Sequence, residues 1–194
     1  MSNIINVARG LEKADLVIKN ANIVNVLSEE IHEADVAIAD GVIAGIGKDY
    51  HGEKEIDIKG AYLSPSFIDG HVHIESSMLL PREFAKAVVP AGTTTLIIDP
   101  HEISNVLGLQ GISFMREAIQ GLPMDVYMML PSCVPATAID DNGCTLTAKD
   151  MEPYLTKGRI LGLGEVMDYI SVVTGDEAMH SKLELFSDRV RDGH

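Results

Sequence analysis

At 194 residues, with 46% hydrophobic residues and a formal net charge of −14, the chain has the make-up of a globular protein, not a disordered or fibrous one. The acidic balance argues against a duplex nucleic-acid partner, because phosphate binding needs a basic surface, and suits a small neutral or cationic ligand better. The length fits one medium domain, or a small domain with part of a larger one, and falls short of the ~250 residues of a complete eight-stranded α/β barrel.

Residues 1–60 predict a small, sandwich-like β domain. The stretches DLVIKNANIV, EADVAIADGVIAGIG and EIDIK are short and β-like, and Asp40-Gly41 sits between two apolar runs where a tight hairpin turn needs positive φ angles. These strands are expected to form an antiparallel sheet.

From residue 61 to 194 the rhythm changes, and strand-length apolar runs alternate with helix-period stretches. Strands are expected over Tyr62–Asp69, Thr93–Asp99, Val126–Leu130 and Arg159–Val166. A helix after Pro81 closes at Pro90-Ala91-Gly92, and a second puts Leu109, Ile112, Met115 and Ile119 on one face and stops near Gly121. A third begins at Thr147, with Asp150 as its capping-box partner, and ends before Gly158. The last aligns Met179, Leu183, Phe186 and Val190 in one stripe. Strict alternation implies parallel strands with crossover helices, so the fold class is α/β: the first four to five units of a (β/α)8 barrel, left incomplete. An open half-barrel exposes strand edges, so the sequence is expected to be truncated or to need a complement.

The segment SFIDGHVHIESSM, Ser66 to Met78, concentrates the chemistry. His71 and His73 lie two apart at a strand's C-terminal end, so both imidazoles project to one side, on the rim where α/β barrels build their sites. Neutral imidazoles in that arrangement are good ligands for a divalent transition metal; the plainer alternative is a pair of hydrogen-bonded interior histidines. Glu165 in LGLGEVM ends the fourth barrel strand, where a carboxylate can reach across and share its oxygens between two cations; alternatively it is an exposed strand-end glutamate. Asp99, His101 and Glu102 in IIDPHE can orient ligands, contact substrate or bind a further ion, although Asp99 can also cap a helix. In Asp192-Gly193-His194, a fifth strand would carry His194 to the same rim; alone, a terminal histidine is a surface residue. His32, His51 and His180 suit solvated positions, and the methionines, Met128 and Met129 among them, suit the core.

Cys133 and Cys144 lack C-x-x-C spacing and form neither a disulfide framework nor a zinc knuckle, and no base places Cys133 as a nucleophile. No cationic, apolar-cored leader and no apolar run near the ~18 residues of a membrane span is evident, which gives the expectation of a cytoplasmic protein.

The run Ser64–Met78 resembles the first barrel strand of the amidohydrolase superfamily. The joint presence of HVHIESSM, DPHE, LPSCVPAT, GEVM and DGH is similar to its adenine-deaminating members. Pro65-Ser66 departs from the Pro-Gly common at that place. The resemblance implies two divalent metal ions, manganese or iron before zinc, with His71, His73, Glu165 and His194 as ligands and Glu165 as the bridging, catalytic carboxylate. It implies hydrolysis of adenine to hypoxanthine and ammonia, with Glu75, Ser76, Ser77, Asp99, His101 and Glu102 near the purine or behind the ligands. A homo-oligomer, a dimer, and no nucleic-acid or membrane partner are expected. The alternatives are another amidohydrolase acting on a cyclic amide or related C–N bond, or a fragment inactive without the remaining strands; the 194 residues by themselves are expected to be inactive even where the whole barrel is an enzyme.

Overall fold

The computed structural model describes residues 2–137 and 139–193, in two compact units that divide between Pro65 and Ser66. In the first unit a short helix, α1 (Ser2–Ala8), precedes strands β1 (Ala14–Asn25), β2 (Glu30–Ala39), β3 (Val42–Gly47), β4 (Gly52–Asp57) and β5 (Tyr62–Leu63). Asp40 and Gly41, with φ of 53° and 73°, form the β2–β3 hairpin turn that the dipeptide predicts.

The sheet is mixed, not antiparallel throughout. β1 and β2 pair antiparallel, as do β2 and β3, but β4 and β5 each lie parallel to β1, β4 along its first half and β5 along its second. The two halves meet at a register shift between Ile18 and Ala21, where Asn20 has a φ of 55°. The described residues of this unit form this one sheet, with a small apolar cluster around Val7 and Val17 and another around Ile23 and Val36.

The second unit is a five-stranded, all-parallel half-barrel sheet in the order β10-β9-β8-β7-β6, made by β6 (Phe67–Val72), β7 (Thr93–Ile98), β8 (Asp125–Pro131), β9 (Ile160–Val166) and β10 (Val190–Gly193). Between them come α2 (Pro81–Val88), α3 (His101–Leu107), α4 (Leu109–Ala118), α5 (Ala148–Met151), α6 (Tyr169–Thr174) and α7 (Glu177–Leu185). Leu96, Ile98, Val126, Met128, Leu130 and Leu163 of the strands pack with Ile112 and Met115 of α4 in the main core, and burial of this apolar surface is the chief favourable contribution to folding.

Two further expectations are corrected. The stretch 62–69 is not one strand: Tyr62 and Leu63 pair with β1, the chain breaks around Pro65, which has no N–H to give a ladder, and the barrel strand starts at Phe67. Val190 does not continue the helical stripe; Phe186 caps α7, and Val190 pairs with Gly162 as β10 begins. The Thr147 helix has its reciprocal capping box with Asp150 and ends before Gly158, as expected, with its last turn a 3-10 turn over Glu152–Tyr154. Among the described residues, no helix is long and apolar enough to cross a membrane.

Candidate metal centre

Because all five strands of the second unit run parallel, their C-terminal ends fall on one rim, and the polar motifs collect there. His71 lies in β6 and His73 just beyond it; Asp99 follows β7, and its amide continues the ladder by donating to the Val72 carbonyl at 3.2 Å. His101 opens α3, and Glu165 is the penultimate residue of β9. The glycines of LGLGE are required by close approach. A Cβ on Gly162 would meet the Val190 carbonyl oxygen at 1.8 Å, and one on Gly164 would meet the Asp99 carboxylate at 2.2 Å.

His71 Nε2 and His73 Nε2 are 3.0 Å apart, and Glu165 Oε1 lies 2.9 Å from the first and 3.4 Å from the second. Three donor atoms at such separations match neighbouring ligands around a first-row cation with bonds of roughly 2.0–2.2 Å. Glu165 Oε2 turns the other way, 2.9 Å from His101 Nδ1, which is itself 3.9 Å from Asp99 Oδ1. The carboxylate thus offers one oxygen to each of two groups, His71–His73–Glu165 and Asp99–His101–Glu165. A third group, His73–His101–Glu102, adjoins them, with Glu102 Oε2 3.4 Å from His73 Nδ1. The donor set is imidazole and carboxylate, suited to zinc, iron or manganese.

The electrostatics are those of crowded carboxylates. Asp99 is fully buried; burial first, then the charges of Glu165, Glu102 and Glu75, push its pKa up to about 8 against the pull of His73. Among the described residues, neither carboxylate oxygen of Asp99 has a hydrogen-bond partner. Burial and the neighbouring Glu102 also raise Glu75. Glu102 is opposed by burial yet ends below its ordinary value, because the Ser76 hydroxyl donates to it at 2.6 Å and the backbone and two histidines assist. Burial lowers His101 despite the charges of Glu102 and Glu165. For His73, burial works against the proton, but the Asp99 carbonyl, 2.7 Å from Nδ1, and the charges of Glu102, Glu165 and Asp99 outweigh it and raise the pKa.

The structure therefore brings His71, His73, Asp99, His101, Glu102 and Glu165 into one cluster, with Glu75 accepting from the Ile103 amide at its edge. Asp99 does not cap α3: Pro100 occupies the cap position, without a side-chain hydrogen bond. Ser77 spends its hydroxyl on its own turn, donating to the Ile74 carbonyl at 2.6 Å. His194 lies outside the described residues.

Three participants escaped the sequence reading. Asp192, part of the singled-out DGH, stands 3.1 Å from His71 Nδ1. Ser132, in LPSCVPAT, donates through Oγ to the Glu165 carbonyl at 2.8 Å. Lys182, on the face of α7 that also carries Met179 and Phe186, is buried, and a lysine in an apolar stripe was the available signal.

The Amidohydrolase family pattern matches residues 62–190, and the chain belongs to that family. It is 53% identical over 185 residues to an adenine deaminase of Desulfitobacterium hafniense, covering 95% of this chain and 32% of the relative. It is 50% identical over 194 residues to adenine deaminase 2 of Carboxydothermus hydrogenoformans, covering 100% and 34%. The chain thus spans about a third of the length of these curated relatives. Among solved structures, an N-acyl-D-glutamate deacylase from Bordetella bronchiseptica, complexed with zinc and a phosphonate inhibitor, aligns with a TM-score of 0.61 at 16% identity, covering 94% of this chain and 45% of that one. An atrazine chlorohydrolase from Arthrobacter aurescens, complexed with zinc, aligns with a TM-score of 0.56 at 16% identity over 77% and 46%. At that identity the likeness is one of fold.

Proposed function

We propose that this chain supplies the front part of a (β/α)8-barrel adenine deaminase, which hydrolyses adenine to hypoxanthine and ammonia. The observation that carries the reading is Glu165, whose two oxygens face separate histidine-containing groups at 2.9 Å each. The names of relatives at 50% identity and above supply the substrate class.

His71 and His73 would hold one divalent cation through their Nε2 atoms, and Glu165 would share a second with the Asp99–His101 side; manganese or iron is the proposed metal. When bound, such cations lower the pKa of water enough to make it a nucleophile at neutral pH. The remaining work falls to the chain. Asp192 fixes the His71 ring through Nδ1, and the Asp99 carbonyl fixes His73 through Nδ1, leaving both Nε2 atoms facing Glu165. Glu75, whose pKa is raised by burial and by Glu102, is proposed to carry a proton to the leaving amine. The sum is adenine plus water giving hypoxanthine plus ammonia.

The test is ammonia release by the metal-loaded enzyme with its whole barrel present, this chain included, offered adenine or a hydantoin-type ring. Release from adenine alone supports the proposal; two bound metals with adenine left untouched overturns it.

A further inference from the structure

Glu165 achieves its placement with a backbone φ of +32°, in the left-handed region that is unfavourable for a side-chain-bearing residue. Such a conformation persists only where its surroundings over-determine it. Here the restraint comes from two residues after β8. Ser132, fully buried, donates its amide to the Gly164 carbonyl at 3.1 Å and its hydroxyl to the Glu165 carbonyl at 2.8 Å. Cys133 Sγ accepts from the amides of Met167 and Asp168, each at 3.4 Å. Residues 164–168 are therefore fastened to 132–133 on both sides of the kink.

That fastening has its own anchor. Lys182 Nζ donates to the Ser132 carbonyl at 2.5 Å, from a side chain only 7% exposed. A buried ammonium is costly unless it is partnered, and an apolar residue would pack α7 against the sheet without that cost. We infer that Lys182 is a positioning residue for the metal centre: through Ser132 it clamps the end of β8 onto β9, holds the left-handed Glu165 backbone, and so aims the carboxylate at both histidine groups. The inference rests on the proposed role of Glu165 as the shared ligand, but the clamp itself can be tested without metal.

The experiment compares the full chain with Lys182→Met, which keeps the apolar stem, and Ser132→Ala, which removes the hydroxyl. In metal-free protein, hydrogen exchange at the Met167 and Asp168 amides is expected to quicken about tenfold in either variant, with α4 amides unchanged. Manganese titration below the melting temperature is expected to show affinity weakened about 10- to 100-fold, as for other residues that orient ligands. With adenine and the whole barrel present, kcat should fall while KM stays. The double variant should be no worse than the more affected single one, because both act on one contact path. Variants that melt at lower temperature yet keep wild-type exchange at 167–168 and wild-type manganese affinity would overturn the inference, and so would additive losses. If Lys182→Met does not fold, Ser132→Ala carries the test. Wild-type protein that takes up no manganese counts against the proposed function, while the exchange result still decides the clamp.

Discussion

Replacing Gly164 by alanine probes how tightly the centre is built. The added methyl group would stand 2.2 Å from Asp99 Oδ2, 2.8 Å from Asp99 Cγ and 2.9 Å from Met129 Cβ. None of these is the free end of an exposed side chain: Asp99 is 0% and Met129 2% exposed. Forcing extra volume into such a site costs about 1–3 kcal/mol. For a domain of this size that corresponds to a melting point lower by roughly 2–12 °C. Asp99 has to turn away from β9, so manganese uptake should fall with it. The control is Gly158→Ala, where a Cβ meets nothing within 4 Å, and where loss of backbone freedom in the unfolded chain makes alanine neutral to stabilising by up to about 1 kcal/mol. Scanning calorimetry and metal analysis of both variants check this. A Gly164→Ala protein that melts within about 1 °C of wild type and takes up metal normally would show that Asp99 does not lie where described.

The raised pKa of Asp99, about 8 against 3.8 for the free side chain, makes stability depend on pH. The folded chain binds this proton more tightly than the unfolded one, so in chelator-treated protein the contribution is fully present below about pH 4 and is lost as pH rises through 8. Urea unfolding from pH 5 to 8 should show the decline, and Asp99→Asn should flatten it; an equal slope in the variant would assign the effect elsewhere. Thr147→Ala removes one arm of the reciprocal cap with Asp150 and should cost about 1 kcal/mol by urea unfolding, without altering metal uptake.

Much of this centre could be read from residue spacing because its ligand-type side chains sit at strand ends. The H-x-H pair and the LGLGE glutamate are fixed by strand period and by parallel order, and these put them on a common rim. What spacing could not supply was anything dependent on the path of the backbone between elements. Ser132 matters through its hydroxyl and carbonyl at a loop end, and Asp192 through a pairing with His71 that closes over 121 residues of chain. Val190 misled for a related reason: a spacing of four from Phe186 is helical in period, yet α7 stops at Leu185 and Val190 is used by a strand. The parallel pairing of β4 and β5 with β1 was likewise hidden, since short alternating strands look the same in either direction.

The account turns on one carboxylate serving two cations, and the most direct measurement is the metal content of the full chain after manganese loading, for wild type and for Glu165→Gln. Two ions per wild-type chain, falling to one or none in the variant with affinity weakened at least about tenfold, is the expected outcome. A variant that retains both ions at wild-type affinity would mean that Glu165 bridges nothing, and the proposed chemistry would lose its foundation.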